Sequence, residues 1–186
     1  MIDPIEIIQR YYSPSSEAYR ILVAHSQDVC QMATEIVQAH AELGADLQFV
    51  QEAAMLHDIG IYLTDASGID CHGDEPYIRH GYLGAELLRS LGYPRHALVA
   101  ERHTGSGLTM QEIRQRGIDL PEGIYAPQSV EERIVCYADK FFSKTKLSKR
   151  KSLEAVRRSL LKHGEQAVIR FDALHQELGL GTETSQ

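Results

Sequence analysis

The chain has 186 residues, 43% hydrophobic and 24% charged, with a net charge of −7; this supports one folded domain with its own core and excludes wholesale disorder. No apolar run approaches the ~20 residues of a membrane span, and the opening Met1-Ile2-Asp3-Pro4 carries an acid where a secretion signal is basic, so no membrane partner is expected. Cys30, Cys71 and Cys136 are scattered without a CxxC pair, which fits neither a disulfide framework nor a zinc ribbon and points to a reducing, cytoplasmic setting.

In chain order the pattern is helical almost throughout. Ser13-Pro14-Ser15-Ser16 supplies helix-start chemistry, and a stripe of Val29, Met32, Ala33, Ile36 and Val37 keeps helical spacing until Leu43-Gly44 stops it. A second helix fits 46–58, with Asp46 as its cap. Residues 60–76, holding Gly60, Gly68, Gly73 and Pro76, read as a long loop of the kind that often carries function. Helices are then expected at 77–91, 94–103, 109–116, 129–143, 152–162 and 164–178, with no sustained strand alternation between them. The expected architecture is all-α: one domain over 1–180, a helical bundle with a metal centre in its core, and a disordered tail over 181–186.

Charge is unevenly spread. Residues 1–78 carry Arg10 and Arg20 against thirteen acids, whereas 140–170 carry ten basic residues against Glu154 and Glu165. Two solvated faces of opposite sign would explain this, and so would a basic end that steers an anionic ligand. The acidic total argues against bulk nucleic-acid binding.

Polar residues interrupt the apolar faces of five expected helices. His25 shares a stripe with Val29, Met32 and Ile36; His57 follows Val50 and Ala53 with Asp58 beside it; His80 shares a face with Leu83, Leu87 and Leu91. His103 follows Val99 and Ala100, and Asp139 lies between Val135 and Phe142. Singly, each has an ordinary explanation: a hydrogen-bonded core histidine, or an Asp139 that caps a helix or pairs with Lys140 or Lys144. Together, two carboxylates and four imidazoles in one core need a common counter-charge, because a buried ionised carboxylate costs several kcal/mol or more when uncompensated. A metal centre provides it, and these ligand types suit iron, manganese or zinc. Six ligands exceed what one four-coordinate zinc takes. Cys30 and Cys136 are expected in the core, Cys71-His72 at a pocket mouth, and His96 at a helix-start surface position; His40, His163 and His175 receive no role.

With these residues in hand, the sequence resembles the HD-domain superfamily of metal-dependent phosphohydrolases. Ala53-Ala54-Met55-Leu56-His57-Asp58-Ile59-Gly60 is similar to its HDIG-type core motif, with His25 upstream and Tyr137-Ala138-Asp139-Lys140 downstream. The added His80 and His103 resemble the two-metal branches, the HD-GYP cyclic-dinucleotide phosphodiesterases and the symmetrical diadenosine-tetraphosphate hydrolases. His80-Gly81-Tyr82-Leu83-Gly84-Ala85 and Arg102-His103-Thr104-Gly105 match segments of the latter. The likeness covers about 20–145. It implies two divalent transition-metal ions, iron first, with manganese or zinc as alternatives. His25, His57, Asp58 and Asp139 would hold one ion, and Asp58, the catalytic carboxylate, would bridge to a second held by His80 and His103. Ile61 and Tyr62 stand where those relatives place a lysine, and no GYP tripeptide follows His103, so the resemblance leaves the substrate open.

The expected activity is hydrolysis of a small phosphorylated substrate, a nucleotide or another phosphoester, by a metal-bridging hydroxide. Arg102, Lys140, Lys144 and His72 are the candidate substrate contacts. On an unbroken helix, Lys140 and Lys144 would point about 100° and about 140° away from Asp139 and would have to curl back. The same ligand order also serves HD-type di-iron oxygenases that cleave C–C or C–P bonds, and a non-catalytic nucleotide-sensing module is the third reading.

Overall fold

The structure is a computed structural model that describes residues 2–181; of the tail expected over 181–186, all but Gly181 lies outside the described residues. Helix α1 (Pro4–Gln9) was not expected. Asp3 caps it by accepting the Ile5 and Glu6 amides, Pro4 opens it, and Ile7 and Ile8 are buried. Helix α2 (Glu17–Ala39) starts at Ser16, whose hydroxyl accepts the Tyr19 amide, and α3 (Leu47–Leu56) starts at Asp46 in the same way. Next come α4 (His80–Ser90), α5 (Pro94–Arg102), α6 (Met110–Gln115), α7 (Val130–Asp139), α8 (Leu153–Leu161) and α9 (Glu165–Leu178). No helix among the described residues is long and apolar enough to cross a membrane.

Two expectations need correction. The fold is mostly helical rather than all-α, because the segment read as a loop over 60–76 carries a small sheet. Strand β1 (Thr64–Ala66) pairs antiparallel with β2 (Cys71–His72) and parallel with β3 (Glu75–Pro76), in the order β2-β1-β3. Strands of two or three residues are too short to show alternation in sequence. The second correction concerns the helix expected over 129–143, which stops at Asp139. Beyond it Lys151 draws the chain back: its Nζ donates to the carbonyls of Lys140 (3.3 Å) and Phe142 (3.2 Å), and its amide to Phe141 O (2.8 Å). The helix beginning at 77 also differs in its first turn, which is 3₁₀ over Tyr77–Arg79.

The apolar interior divides into two main clusters. One gathers α3, α7, α8, α9 and the C-terminal half of α2, around Val29, Ile36, Ile134, Tyr137 and Phe171. The other gathers α1, α4, the N-terminal half of α2 and the end of α3, around Ile8, Leu22, Leu56, Ile59 and Leu88. Single helices cross from one to the other: on α2, Leu22 belongs to the second cluster and Val29 to the first, with His25 between them. On α3 the change falls between Ala54 and Leu56, just before His57.

Close backbone contacts hold this seam together. A Cβ on Gly60 would lie 2.4 Å from both Gly84 N and His80 O, and one on Gly81 would lie 2.6 Å from Ala100 O. Glycine at these positions lets the turn after α3 press onto α4, and α4 onto α5. Gly81→Ala is expected to overpack the α4–α5 contact, at about 1–3 kcal/mol. Thermal unfolding of the variant should show a melting point lower by several degrees, and an unchanged one would show that the two helices can part freely.

Candidate metal centre

Six buried side chains meet at the seam. His25 comes from mid-α2, His57 and Asp58 from the end of α3, His80 from the start of α4, His103 from the end of α5, and Asp139 from the last residue of α7. All are buried, Asp58 and His57 completely. The sequence expectation of one convergent set is therefore matched in space.

Two groups form, and Asp58 belongs to both. Around its Oδ2 stand His25 Nε2 (3.2 Å) and His57 Nε2 (3.1 Å), with Asp139 Oδ1 3.0 Å from His25 and 3.5 Å from His57. Around its Oδ1 stand the Nε2 atoms of His80 and His103, each at 3.3 Å. Donor atoms bound about 2.0–2.2 Å from one ion lie roughly 3–3.5 Å from one another, the spacing found here.

Three of the histidines are oriented by backbone carbonyls. His57 Nδ1 donates to Ala54 O (2.6 Å), His80 Nδ1 to Tyr77 O (2.7 Å) and His103 Nδ1 to Ala100 O (2.7 Å). Each is a bond to the carbonyl of the third residue back. A ring that donates from Nδ1 presents a lone pair at Nε2, the usual way a ligand histidine is set. His25, in the middle of α2, finds no such carbonyl, and its Nδ1 is buried without a partner.

Whether a metal fits can be judged from the orphaned atoms. His80 Nε2 and His103 Nε2 face each other at 3.1 Å. Burial drives His80 down to about 3 and also lowers His103, so both rings are neutral. Two lone pairs thus confront each other away from water. His57 Nε2 and both oxygens of Asp58 are also buried without a hydrogen bond. A divalent cation in each group would satisfy all of them, and the residues suit a divalent metal centre.

The surrounding charges agree with an anionic site that needs cations. Burial opposes the ionised form of Asp58, yet Lys144, then His57 and His103, hold it well below the usual carboxylate range; Lys140, His25 and His57 do the same for Asp139. Burial disfavours charge on His57, but Asp58 and Asp139 outweigh it and carry the ring up to about 9. Lys144 Nζ lies 2.5 Å from Asp58 Oδ2, and Lys140 Nζ lies 2.7 Å from Asp139 Oδ2 and donates to His103 O.

A cavity of about 530 Å³ opens above His80, His103 and Asp139. Lys140, Lys144 and Lys151 line it, with His163, Thr104 and Ser159 among its other polar groups. The anticipated misalignment of Lys144 is overturned: α7 has ended, and the turn at 143–146 brings the ammonium back over the ligands. Arg102 and His72 do not line the cavity. The Arg102 guanidinium holds Glu132 at 3.0 Å on another face of α5, since neighbouring helical residues diverge by about 100°. His72 alternates with buried Cys71 on β2, stays exposed and pairs with Asp70 (3.1 Å). His96, expected at the surface, is half-buried against Glu52 and Phe49. Sequence reasoning missed Tyr77, whose ring stacks on His80 (4.6 Å), and His163.

With this geometry in place, the comparison with known proteins is direct. The HD domain family model matches residues 22–144, and the chain belongs to that family. Its sequence is similar to an uncharacterized protein of Methanocaldococcus jannaschii, 39% identical over 128 residues, covering 67% of this chain and 68% of that one. It is also similar to tRNA (cytidine(56)-2'-O)-methyltransferases of Picrophilus torridus (31% over 165 residues, 88% of this chain) and Thermoplasma volcanium (33% over 159 residues, 84%). The chain spans only 43% and 41% of the length of those two enzymes. Among solved structures, the HD domain of the Listeria monocytogenes phosphodiesterase PgpH superposes with a TM-score of 0.55 at 16% identity, over 95% of this chain and 88% of that one. At that identity the likeness is one of fold.

Protein purified without chelator and reconstituted with iron or manganese is expected to hold about two ions per chain, one per ligand group, as in paired-metal sites. Elemental analysis checks this. Asp58→Ala should lower total metal, whereas His103→Ala should chiefly empty one site. Equal, mild losses in both variants would show that these side chains are not ligands.

Proposed function

We propose that this protein is a metal-dependent phosphohydrolase that cleaves a small phosphoester, with nucleotides as the leading substrate class. The observation that carries the reading is the pair of ligand groups hinged on Asp58 beneath a cavity lined by three lysines. Two divalent ions, iron first, would supply water activation at neutral pH and draw charge from the phosphoryl oxygens.

The chain's own residues do the rest. Carbonyl bonds at Nδ1 keep the Nε2 atoms of His57, His80 and His103 aimed inward, so these three rings need no rotation when the centre fills. Lys144 lines the cavity and is the ammonium best placed to meet a phosphoryl group. Lys140, held by Asp139 and His103 O, keeps the end of α7 in position. Ile69, Ile78, Phe142 and Val156 give the cavity apolar walls against which the rest of a substrate can pack and which exclude water. The lysines favour an anionic, phosphorus-bearing substrate over a neutral one, and the chemistry done on it, hydrolysis or oxygenation, is what the test below separates. The methyltransferase name belongs to relatives more than twice as long as the matched segment and is not carried over.

The test is a phosphoester panel on manganese- or iron-loaded protein. Asp58→Ala should abolish phosphate release, a loss of at least about 10³-fold for a group that organises both ions. Lys144→Ala should raise KM for phosphorylated substrates by about tenfold, one charge-assisted contact. Oxygen uptake by the reduced iron form without phosphate release would overturn the hydrolase reading in favour of the oxygenase.

A further inference from the structure

Beside the catalytic cavity lies a smaller cleft of about 70 Å³. The two share one wall: Ile78, Thr104, Gly105, Leu160 and His163 line both. That volume accommodates several waters, or one compact charged group. Its polar lining is Glu112, Arg116 and Arg170. The Glu112 carboxylate is fully engaged: it accepts the Thr109 amide (2.8 Å) as the return half of the α6 capping box and takes Arg170 Nη2 at 2.8 Å and 3.0 Å. Arg170 Nη2 also donates to Gly107 O, but its buried Nε has no partner. Arg116 is exposed and has no acid partner among the described residues.

One cation, Arg116, is therefore left over in the cleft, whose one acid, Glu112, is paired. His163 stands on the wall between the two spaces. Burial and then Arg116, Lys140 and Lys162 depress its ring's basicity, so positive field reaches it from the cleft and the catalytic cavity alike. A single phosphoryl group over Asp58 would answer the lysines of the main cavity and leave the cleft's surplus unanswered.

We propose that this cleft is a second anion subsite, and that the substrate is bis-anionic: a phosphoester whose scissile phosphoryl group sits above Asp58 while a phosphate or carboxylate at its other end enters the cleft beside Arg116, Arg170 and His163. This rests on the phosphohydrolase reading and narrows it. Pairing an anion with the Arg116 guanidinium gives specificity, because a substrate lacking that anion leaves the cleft's surplus charge unmatched. The shared wall makes the two anions parts of one molecule rather than independent ligands.

The experiment uses manganese-loaded full-length protein and a graded set of probes: the bisphosphates of ethanediol through hexanediol, the ω-carboxyalkyl phosphates of the same lengths, and the matching alkyl monophosphates. The ratio of kcat/KM for a two-anion probe over its monophosphate should peak at one chain length and reach about tenfold, the worth of one charge-assisted contact. The two-anion series with the higher peak identifies the second group as phosphate or carboxylate. In Arg116→Gln, an exposed position whose change leaves the core intact, the peak ratio should fall toward one. A ratio near one at every length, or a ratio the Arg116→Gln variant leaves unaltered, overturns the subsite. Calorimetric binding of the same probes needs no turnover. Length-dependent, Arg116-dependent binding without any phosphate release would uphold the subsite and discard the hydrolase reading, while release without length dependence would do the reverse.

Discussion

A fully buried carboxylate on Asp58 is the constraint to which the rest of the structure answers. Removing such a charge from water costs several kcal/mol even after relaxation, unless cations and hydrogen bonds compensate it. Around the two Asp58 oxygens stand four imidazole nitrogens and one ammonium. The helices are positioned accordingly. Gly60 and Gly84 let the turn carrying Asp58 lie against α4, and Gly81 lets α4 lie against α5, which brings His80 and His103 to the same carboxylate oxygen.

The location of the centre follows from the division of the core. Asp139 comes from a helix packed into the cluster around Phe171, and His80 from one packed into the cluster around Leu88, while His25 and His57 sit where α2 and α3 pass between them. A cation shared through Asp58 would therefore tie two apolar units that touch mainly along those helices. Metal affinity and stability are then linked, since any ligand that binds only the assembled seam adds its binding free energy to folding. Cys136 shows how tightly this seam is packed: its buried thiol lies 3.5 Å from the carbonyls of both His103 and Gly105, directly behind the ligand.

The convergence of these side chains is legible in sequence because polar groups stand at apolar registers of their helices, against the rule their neighbours obey. That signal needs only local periodicity, and such violations on five different helices meet at one point in space. What could not be read was set by distant partners. The end of α7 depends on Lys151, twelve residues beyond Asp139, whose ammonium takes the carbonyls that would otherwise have continued the helix. Lys144 consequently reaches Asp58 from a turn, where a helical projection had it pointing away. Arg102 is next to His103 in sequence, but adjacency in a helix places side chains on different faces, so it serves Glu132 instead. The sheet of β1–β3 escaped notice because its strands are shorter than the period that reveals strands. His163 carried no local mark at all; α8 and its following turn deliver it to the cavity wall.

The uneven charge of the chain acquires a meaning at this point. Asp58 comes from the acidic stretch over 1–78, and Lys140, Lys144 and Lys151 come from the basic stretch over 140–170. If the two stretches formed only solvated faces, their members would be dispersed around the surface and paired with nearby opposite charges, as Arg157 is with Asp172 and Arg20 with Glu17. Instead the acidic half supplies the shared carboxylate at the floor of the cavity and the basic half supplies its walls. Lys146, Lys149, Arg158 and Lys162 have no acid partner among the described residues, and each lies one or two positions from a residue that lines the cavity. A field of one sign focused at a concave, partly apolar opening raises the local concentration of anions far more than the same charges spread over a convex surface. A negative net charge is thus compatible with a basic cavity, because Asp58 and Asp139, two of the acids behind that total, are buried beneath its lysines.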